Sequence, residues 1–311
     1  MSYKYIKNQF LSSDGKTQVS YYIYEPHGAV KGIIQLSHGM CEYVERYEHV
    51  ARFFCENGYV FCGNDHLGHG ATAGSDENLG FTAEGGGASF MVCDVRQLTD
   101  LVRERYPGIP LVLFGHSMGS FIARIYLTEF DDIDAAVIEG TGGPESPTAL
   151  GKKVASIVMK MMGERHRSKM LDSIAFGSYN RRIGKHSLAS AWISRDDDLV
   201  ARYMADKYCK YIFTARGFYD LFDLLGRVSQ KDWAERIPKK LPIFLASGTA
   251  DPVGGYGKGV KTVYDRLVSA GCERVTLKLY PDARHELHNE TNKEEFLQDM
   301  LDFINASLEN K

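Results

Sequence analysis

Short apolar segments alternate with segments of helical spacing along most of the chain. The apolar segments predict eight strands, at 5–11, 18–24, 33–37, 59–64, 111–114, 133–139, 243–247 and 276–280. The first two flank a polar turn with Asp14-Gly15, which favours a hairpin. The later strands are apolar throughout rather than alternating, and this is typical of a parallel sheet covered by helices on both faces. The pattern therefore predicts an α/β fold with a mostly parallel eight-stranded sheet.

The strand pattern stops between residues 145 and 237. Helical spacing follows there at 152–163, 197–207 and 217–229, and the sheet pattern resumes only after Pro242. We therefore predict a helical insertion of residues 145–237 after the sixth strand. It would divide an α/β core into a first part, residues 1–144, and a second part, residues 238–311.

Composition limits the classes of function. The 311 residues are 44% hydrophobic and 25% charged with a net charge of −3, which suits a large globular α/β domain. No basic patch is visible, so nucleic acid is not an expected partner. The six cysteines show neither Cys-x-x-Cys nor zinc-finger spacing, so scattered free thiols in a reducing compartment are expected. The chain shows no signal-peptide pattern and no apolar run near the ~20 residues that span a bilayer, so we expect a cytoplasmic protein.

The segment from Leu111 to Ser120 carries the strongest chemical signal. A buried-strand pattern leads into Gly-His-Ser-Met-Gly at 115–119, and a helical pattern follows directly. Gly-x-Ser-x-Gly between a strand and a helix is the nucleophile elbow, in which a sharp turn presents the serine hydroxyl. The flanking glycines allow so tight a turn because they carry no Cβ. Ser117 is therefore the predicted nucleophile.

A serine hydroxyl needs a base, and the base needs a carboxylate that orients it. Asp251 and His285 each follow a later strand, in the order Ser, Asp, His that this type of elbow uses. Carboxyl ends of parallel strands meet at the edge where ligands bind, so we predict that both side chains lie near Ser117. Asp282 and Glu286 are alternative acids.

Two further histidines compete for roles in this site. His288 is an alternative base, and His116, inside the elbow, is expected to pack rather than to catalyse.

Acyl transfer places negative charge on the former carbonyl oxygen, which two backbone N–H groups should stabilise. One donor is the residue after the nucleophile, Met118. The other comes from the loop after the third strand, His38-Gly39-Met40, and we assign it to Met40. Cys41 follows that donor directly, and a functional thiol there is a minor alternative to a packing role.

These motifs together resemble the monoacylglycerol lipase and lysophospholipase branch of the α/β-hydrolases, of the serine aminopeptidase S33 type. The resemblance rests on His38-Gly39-Met40 with Glu42, Arg46 and Tyr47, on Asp-His-Leu-Gly-His-Gly at 65–70, on Gly-His-Ser-Met-Gly at 115–119, on Asp251, and on His285-Glu286 with Asn289-Glu290. It implies the same triad, Ser117, Asp251 and His285, the oxyanion donors Met40 and Met118, and a helical cap after the sixth strand. Tyr43 departs from the family, in which histidine is common.

The resemblance implies a serine ester hydrolase that acts on a lipid-like acyl ester without a metal or organic cofactor. The alternatives are a carboxylesterase for short or aromatic acyl groups, an acyltransferase or amidase with the same triad and, more remotely, a non-catalytic binding protein on this scaffold.

One helix of the predicted insertion offers three interpretations. An apolar stripe in 152–163, formed by Val154, Ile157, Val158, Met161 and Met162, could pack on the core or line an acyl-chain tunnel. It could also make transient contact with a membrane surface, flanked by Lys152, Lys153 and Lys160.

Overall fold

A single twisted sheet forms the centre of the molecule. The computed structural model describes residues 3–144, 148–183 and 188–309. The strands are β1 Tyr3–Leu11, β2 Gln18–Pro26, β3 Gly32–Ser37, β4 Tyr59–Asn64, β5 Leu111–His116, β6 Ala135–Glu139, β7 Ile243–Gly248 and β8 Val275–Tyr280. The helices are α1 Glu48–Glu56, α2 Gly87–Arg105, α3 Met118–Glu129, α4 Thr148–Met162, α5 Lys169–Phe176, α6 Asp197–Ala205, α7 Ala215–Ser229, α8 Lys258–Ser269 and α9 Lys293–Leu308.

The sheet topology confirms the predicted fold class. The strand order is β1-β2-β4-β3-β5-β6-β7-β8. Both contacts of β2 are antiparallel, and all later neighbours are parallel. The parallel strands therefore end at one common edge, where the loops after them can meet.

Alternate residues of each central strand enter two different cores. Leu111 and Leu113 of β5 belong to the core that contains residues of α2, α3, α7 and α8. Val112 and Phe114 point into the other core, with residues of α1 and α9. Because side chains alternate between the faces of a strand, a strand buried on both sides must be apolar at every position. This explains the continuous apolar runs in the sequence.

Of the described α-helices between β6 and β7, one has no counterpart in the sequence prediction. α5 spans only eight residues, Lys169–Phe176, and buries Leu171 alone. Its apolar periodicity is therefore too weak to mark a helix. The usable signal was its N-cap, since the Ser168 side chain accepts a hydrogen bond from the Leu171 N–H.

Helices α4 to α7 lie between β6 and β7, and the described residues of this segment contain no strand. The predicted start of the insertion at residue 145 lies outside the described residues. None of the described helices is long and apolar enough to cross a membrane.

The interpretation that the whole apolar stripe of α4 packs on the core is wrong. The helix buries Gly151, Ala155 and Val158, whereas Met161 is 78% exposed, Met162 60% and Ile157 49%. Only one edge of the stripe faces the protein, because a helix buries roughly one side of its circumference.

Candidate active site

Ser117 occupies a strained turn between β5 and α3. Its φ of +51° is unusual for a residue with a side chain, and its N–H donates to the Glu139 carbonyl at 3.0 Å. A methyl group at Gly119 would overlap the Ser37 carbonyl oxygen, so the helix can approach β3 this closely only with glycine. The turn places Ser117 on the wall of a cavity of about 770 Å³.

His285 and Asp251 form a buried pair at the same edge of the sheet. The Nδ1 atom of His285 lies 3.0 Å from Oδ1 of Asp251, and the two residues are 2% and 0% exposed. The Val253 N–H and the Ser247 hydroxyl donate to the same carboxylate, at 2.8 and 3.2 Å. With Nδ1 directed to the acid, the other ring nitrogen, Nε2, has no hydrogen-bond partner among the described residues. His285 and Ser117 line one cavity.

The alternative acids have other environments. Glu286 pairs with Arg46 at 2.9 Å and accepts a hydrogen bond from Asn289. Asp282 lies exposed in a turn with a φ of +58°.

The alternative base is fully buried. The Nδ1 atom of His288 is 2.9 Å from both oxygens of Glu139, and the residue is 0% exposed. Neither the alternative acids nor His288 therefore takes the place of the His285–Asp251 pair beside the cavity.

Met40 and Met118 line the cavity next to Ser117. Met118 is the first residue of α3, so its N–H is one of the free donors at a helix start. Glu42 secures the loop with Met40, because its carboxylate accepts hydrogen bonds from the Gly39 N–H and, at 2.8 Å, from the Tyr47 hydroxyl. An ion pair of 2.8 Å between Glu42 and Arg46 completes this support.

Glu139 is a buried acid that the sequence interpretation missed. It ends β6 with an exposed fraction of 0%, and its carboxylate lies 2.9 Å from Nδ1 of His288 and 3.3 Å from Nδ1 of His116. Burial opposes charge on all three groups, yet the mutual attraction raises the pKa of both imidazoles and lowers that of Glu139. The sequence offered one indication of this buried acid, since Glu139 is the only charged residue of the otherwise apolar strand β6.

Three more imidazoles, His38, His66 and His69, cluster beside Gly39 and Met40 at the end of β3. The rings of His38 and His66 are 4.3 Å apart, and His69 lies 5.2 Å from His38. Burial lowers the pKa of His66 to about 3 and that of His69 to about 4, and it holds the pKa of His38 well below its usual value. These rings are therefore neutral at pH 7.

Among the described residues, two sets of side chains bring possible metal ligands together. They are His116, Glu139 and His288, and Glu42, His116 and Glu286, with donor atoms within 4.8 Å of one another in each set. The Glu139 carboxylate already pairs with both imidazoles of the first set, at 3.3 Å to His116 and 2.9 Å to His288. The Glu42 and Glu286 carboxylates already pair with Arg46. Both sets therefore fit an internal ion-pair network better than a metal centre.

Cys41 lies on the cavity wall with 3% exposure, and its thiol donates to the Tyr211 carbonyl at 3.4 Å. Burial raises the pKa of this thiol far above neutral pH. Since the thiolate is the reactive form, these surroundings favour the packing role.

The remaining cavity wall comes mainly from the helical segment between β6 and β7. Phe176, Leu221, Phe222 and Leu225 are among its apolar residues. Trp192 lies next to the His285–Asp251 pair, with its ring 5.0 Å from that of His285. The cavity thus has a polar floor at the sheet and largely apolar walls above it.

A parallel sheet of this strand order, with a serine turn between β5 and α3, is an α/β-hydrolase fold. The family model described as serine aminopeptidase, S33 matches residues 28–292, and the chain belongs to this family.

Named relatives agree with this assignment. The chain is 28% identical to a monoacylglycerol lipase of Mycolicibacterium smegmatis over 298 residues, 94% of this chain and 95% of that protein. It is 28% identical to the monoglyceride lipase of Homo sapiens over 286 residues, 90% of this chain and 83% of that protein. The crystal structure of a thermostable carboxyl esterase from Bacillus coagulans in complex with glycerol superposes with a TM-score of 0.92 at 32% identity, covering 98% of this chain and 99% of that chain. The protein is therefore a hydrolase of the lipase and esterase class, similar to monoacylglycerol lipases.

Proposed function

We propose that this chain hydrolyses carboxylic esters through Ser117, His285 and Asp251. The observation that carries the proposal is the 3.0 Å contact between His285 and Asp251, which leaves the second imidazole nitrogen unpaired in a residue that lines the same cavity as Ser117. Asp251 holds the imidazole in the tautomer with a proton on Nδ1, so Nε2 can act as a base.

The reaction has two steps. His285 removes the Ser117 proton as the hydroxyl oxygen attacks the ester carbonyl, and it then protonates the leaving alcohol. Water, activated by the same imidazole, releases the acid from the acyl-enzyme. The Met40 and Met118 N–H groups hold the oxyanion in both steps, and each such donor typically contributes roughly 3 kcal/mol to lowering the barrier. Glu42 acts as a positioning residue through the Gly39 N–H.

The cavity supports a lipid-like acyl ester, such as a monoacylglycerol or a lysophospholipid, as the substrate. An apolar wall suits an acyl chain, and the polar floor suits the ester and its alcohol. We assign the segment that contains α4 to α7 as a cap, because it supplies most of that wall.

Two cap helices support transient contact with a membrane surface. Leu150, Ile157, Met161 and Met162 of α4 and Met170 and Ile174 of α5 are all more than 45% exposed. The two helices pack against each other, and Ile174 also lines the cavity. Lys153, Lys160 and Lys169 are exposed nearby, as interfacial helices prefer. Lys152 is not part of this surface, because it pairs with Asp223.

A carboxylesterase for short acyl groups is the second candidate. Its support is the similarity to the Bacillus coagulans carboxyl esterase, at 32% identity. Hydrolysis rates on monoacylglycerols and aryl esters of increasing chain length separate the two, since a sharp optimum at short chains would contradict the lipase assignment.

A fluorophosphonate probe tests the nucleophile. We expect covalent labelling of Ser117, located by peptide mass spectrometry, and no labelling or turnover in Ser117→Ala. Ser120 is a matched control, because its hydroxyl is already bonded to the Ser117 carbonyl at 2.5 Å. Ser120→Ala should still label. Turnover that persists in Ser117→Ala would refute the mechanism.

Sedimentation with anionic phospholipid vesicles tests the membrane surface. The double substitution Met161→Ser with Met162→Ser should reduce vesicle binding while leaving hydrolysis of a water-soluble aryl ester unchanged. Leu101→Ser, at an exposed apolar residue of α2, is the control and should bind as the wild type does. Equal binding by all three proteins would eliminate this surface as a membrane contact.

A further inference from the structure

A second cleft, of about 260 Å³, lies at the C-terminal half of α3, whereas the catalytic cavity is lined by residues near the start of that helix. Its walls come from α3, from the end of α7 and from the short helix Trp233–Arg236. Among the described residues, none lines both this cleft and the catalytic cavity. Arg124, Arg227 and Arg236 line it together with Trp233. The mechanism proposed above uses none of these side chains.

Arg124 is a buried cation without an acidic partner among the described residues. It is 2% exposed, and its guanidinium donates only to neutral oxygens: those of Thr141 at 3.2 Å, Gly142 at 3.0 Å and Val228 at 2.9 Å. Its Nε–H has no partner in the described part of the chain. A buried charge of this kind normally has a counter-ion, because removal from water is costly.

Trp233 adds a second unpaired donor to the same cleft. Its ring lies 4.1 Å from the Arg124 guanidinium carbon, and the residue is 2% exposed. The indole N–H has no partner among the described residues. Arg124 and Trp233 both line this small cleft, and each carries one buried N–H group that calls for an acceptor outside the described residues.

The surrounding charges favour an anion. Arg236 is exposed and has no partner in the described part of the chain, while Arg227 pairs with Asp223 at 2.9 Å. Arg266 lies behind the cleft, where it donates to the Ser229 and Gln230 carbonyls. Glu129, on the rim, and Asp223 are the opposing acids. Burial, with Arg266 as a second cause, lowers the pKa of Arg124 to about 9, so an anion here would stabilise its charged form.

We propose that this cleft binds a phosphate group, either free or as a monoester, between Arg124, Arg236 and the Trp233 indole. Guanidinium groups from separate elements suit a tetrahedral anion, whose oxygens accept hydrogen bonds from several directions. The site is independent of the hydrolase proposal, so either can fail without the other.

Binding can be measured directly, because the chain contains two tryptophans and Trp233 lies in the site. In a Trp192→Phe background, sodium phosphate should change Trp233 fluorescence saturably, and sodium chloride of equal ionic strength should not. Calorimetry should give one phosphate per chain. Arg236→Gln should raise the Kd about tenfold, as expected for a lost charge-assisted hydrogen bond. Arg52→Gln, at an exposed arginine of α1, should bind as the wild type does.

Two results would overturn the proposal. One is the absence of saturable binding, which would leave Arg124 as a purely structural link between α3, α7 and the loop after β6. The other is a Kd that Arg236→Gln does not change. Glycerol 3-phosphate distinguishes the sources: tighter binding than inorganic phosphate assigns the site to a phosphate monoester, and equal or weaker binding assigns it to the free ion.

Discussion

Two pairs of histidine and carboxylate lie side by side at the edge of the sheet that carries Ser117, and only one of the two imidazoles, that of His285, lines the cavity. The His285–Asp251 and His288–Glu139 contacts are 3.0 and 2.9 Å, and the ring of His116 lies 4.8 Å from His285 and 4.9 Å from His288. His288 is fully enclosed and stacks on Tyr47, with ring centres 4.4 Å apart. An acid partner therefore does not by itself mark a catalytic base, because access to the nucleophile is also required.

The largest expected difference is between substitutions of the two imidazoles. His285→Gln should reduce kcat about 10³–10⁴-fold, since it removes the proposed base. His288→Gln should keep kcat within about tenfold of the wild type, because it alters an enclosed ion pair and no group on the cavity. Steady-state kinetics on a soluble ester measures both. Comparable losses of kcat in the two variants would contradict the assignment of His285, and not His288, as the base.

Substitution of the two acids should separate activity from stability. Asp251→Asn should lower kcat by at least about 10²-fold with a modest effect on stability, because the wrong imidazole tautomer is favoured. Glu139→Gln should instead reduce the free energy of unfolding by about 3–5 kcal/mol, because it leaves a buried imidazolium unpaired. Denaturant unfolding with kinetics on the same samples tests this. A stable but inactive Glu139→Gln variant would contradict it.

Acid should destabilise the protein through the neutral imidazoles of His38, His66 and His69 rather than through His288. Their pKa values are lowered, to about 3 for His66, so below pH ~6.5 the unfolded chain binds protons that the folded chain does not. His66 alone should cost about 2 kcal/mol between pH ~6.5 and pH ~4.5. The free energy of unfolding at the two values, from denaturant titration, measures the loss.

The lowered and the raised imidazole pKa values should have opposite effects on how the free energy of unfolding changes with pH. The raised pKa of His288 gives stability that is fully present below pH ~6.5 and is lost only as the pH rises. The lowered pKa of Glu139 gives stability that is lost only as the pH falls below its unfolded pKa of ~4.3. His66→Gln should therefore reduce the loss of unfolding free energy between pH ~6.5 and pH ~4.5, and His288→Gln should leave that loss unchanged. The reverse pattern would mean that the charge states assigned to the two groups are wrong.

The smallest expected effect comes from the hydrogen bond between Tyr47 and Glu42, which supports the loop with Gly39 and Met40. Tyr47→Phe removes a hydrogen bond of 2.8 Å to Glu42 and keeps the ring stacked on His288. We expect a loss of about 1–3 kcal/mol in the free energy of unfolding, as for hydrogen bonds to charged groups, and little change in kcat. Thermal unfolding and kinetics check this, and a kcat loss as large as that of Asp251→Asn would give Tyr47 a direct part in catalysis.

The local sequence pattern was sufficient to predict an element when all the residues that indicate it lie within that element. The central strands were predicted from their continuous apolar runs, and the serine turn was predicted from glycine spacing at 115–119. The sequence could not assign Glu139, because nothing in its own strand indicates that His116 and His288 lie beside it. Similarly, the exposed edge of α4 became visible only when its packing partners were known.

The amino-acid sequence by itself determined the order of strands and helices, the class of fold and a short set of candidate side chains, because periodicity and turn chemistry are local properties. Only the tertiary structure decided which imidazole is enclosed, which acid it contacts and which buried arginine has no acidic partner among the described residues. Burial and charge pairing depend on segments far apart in the chain. Asp251 and His285, and likewise Arg124 and Trp233, become neighbours only when the sheet and its helices assemble.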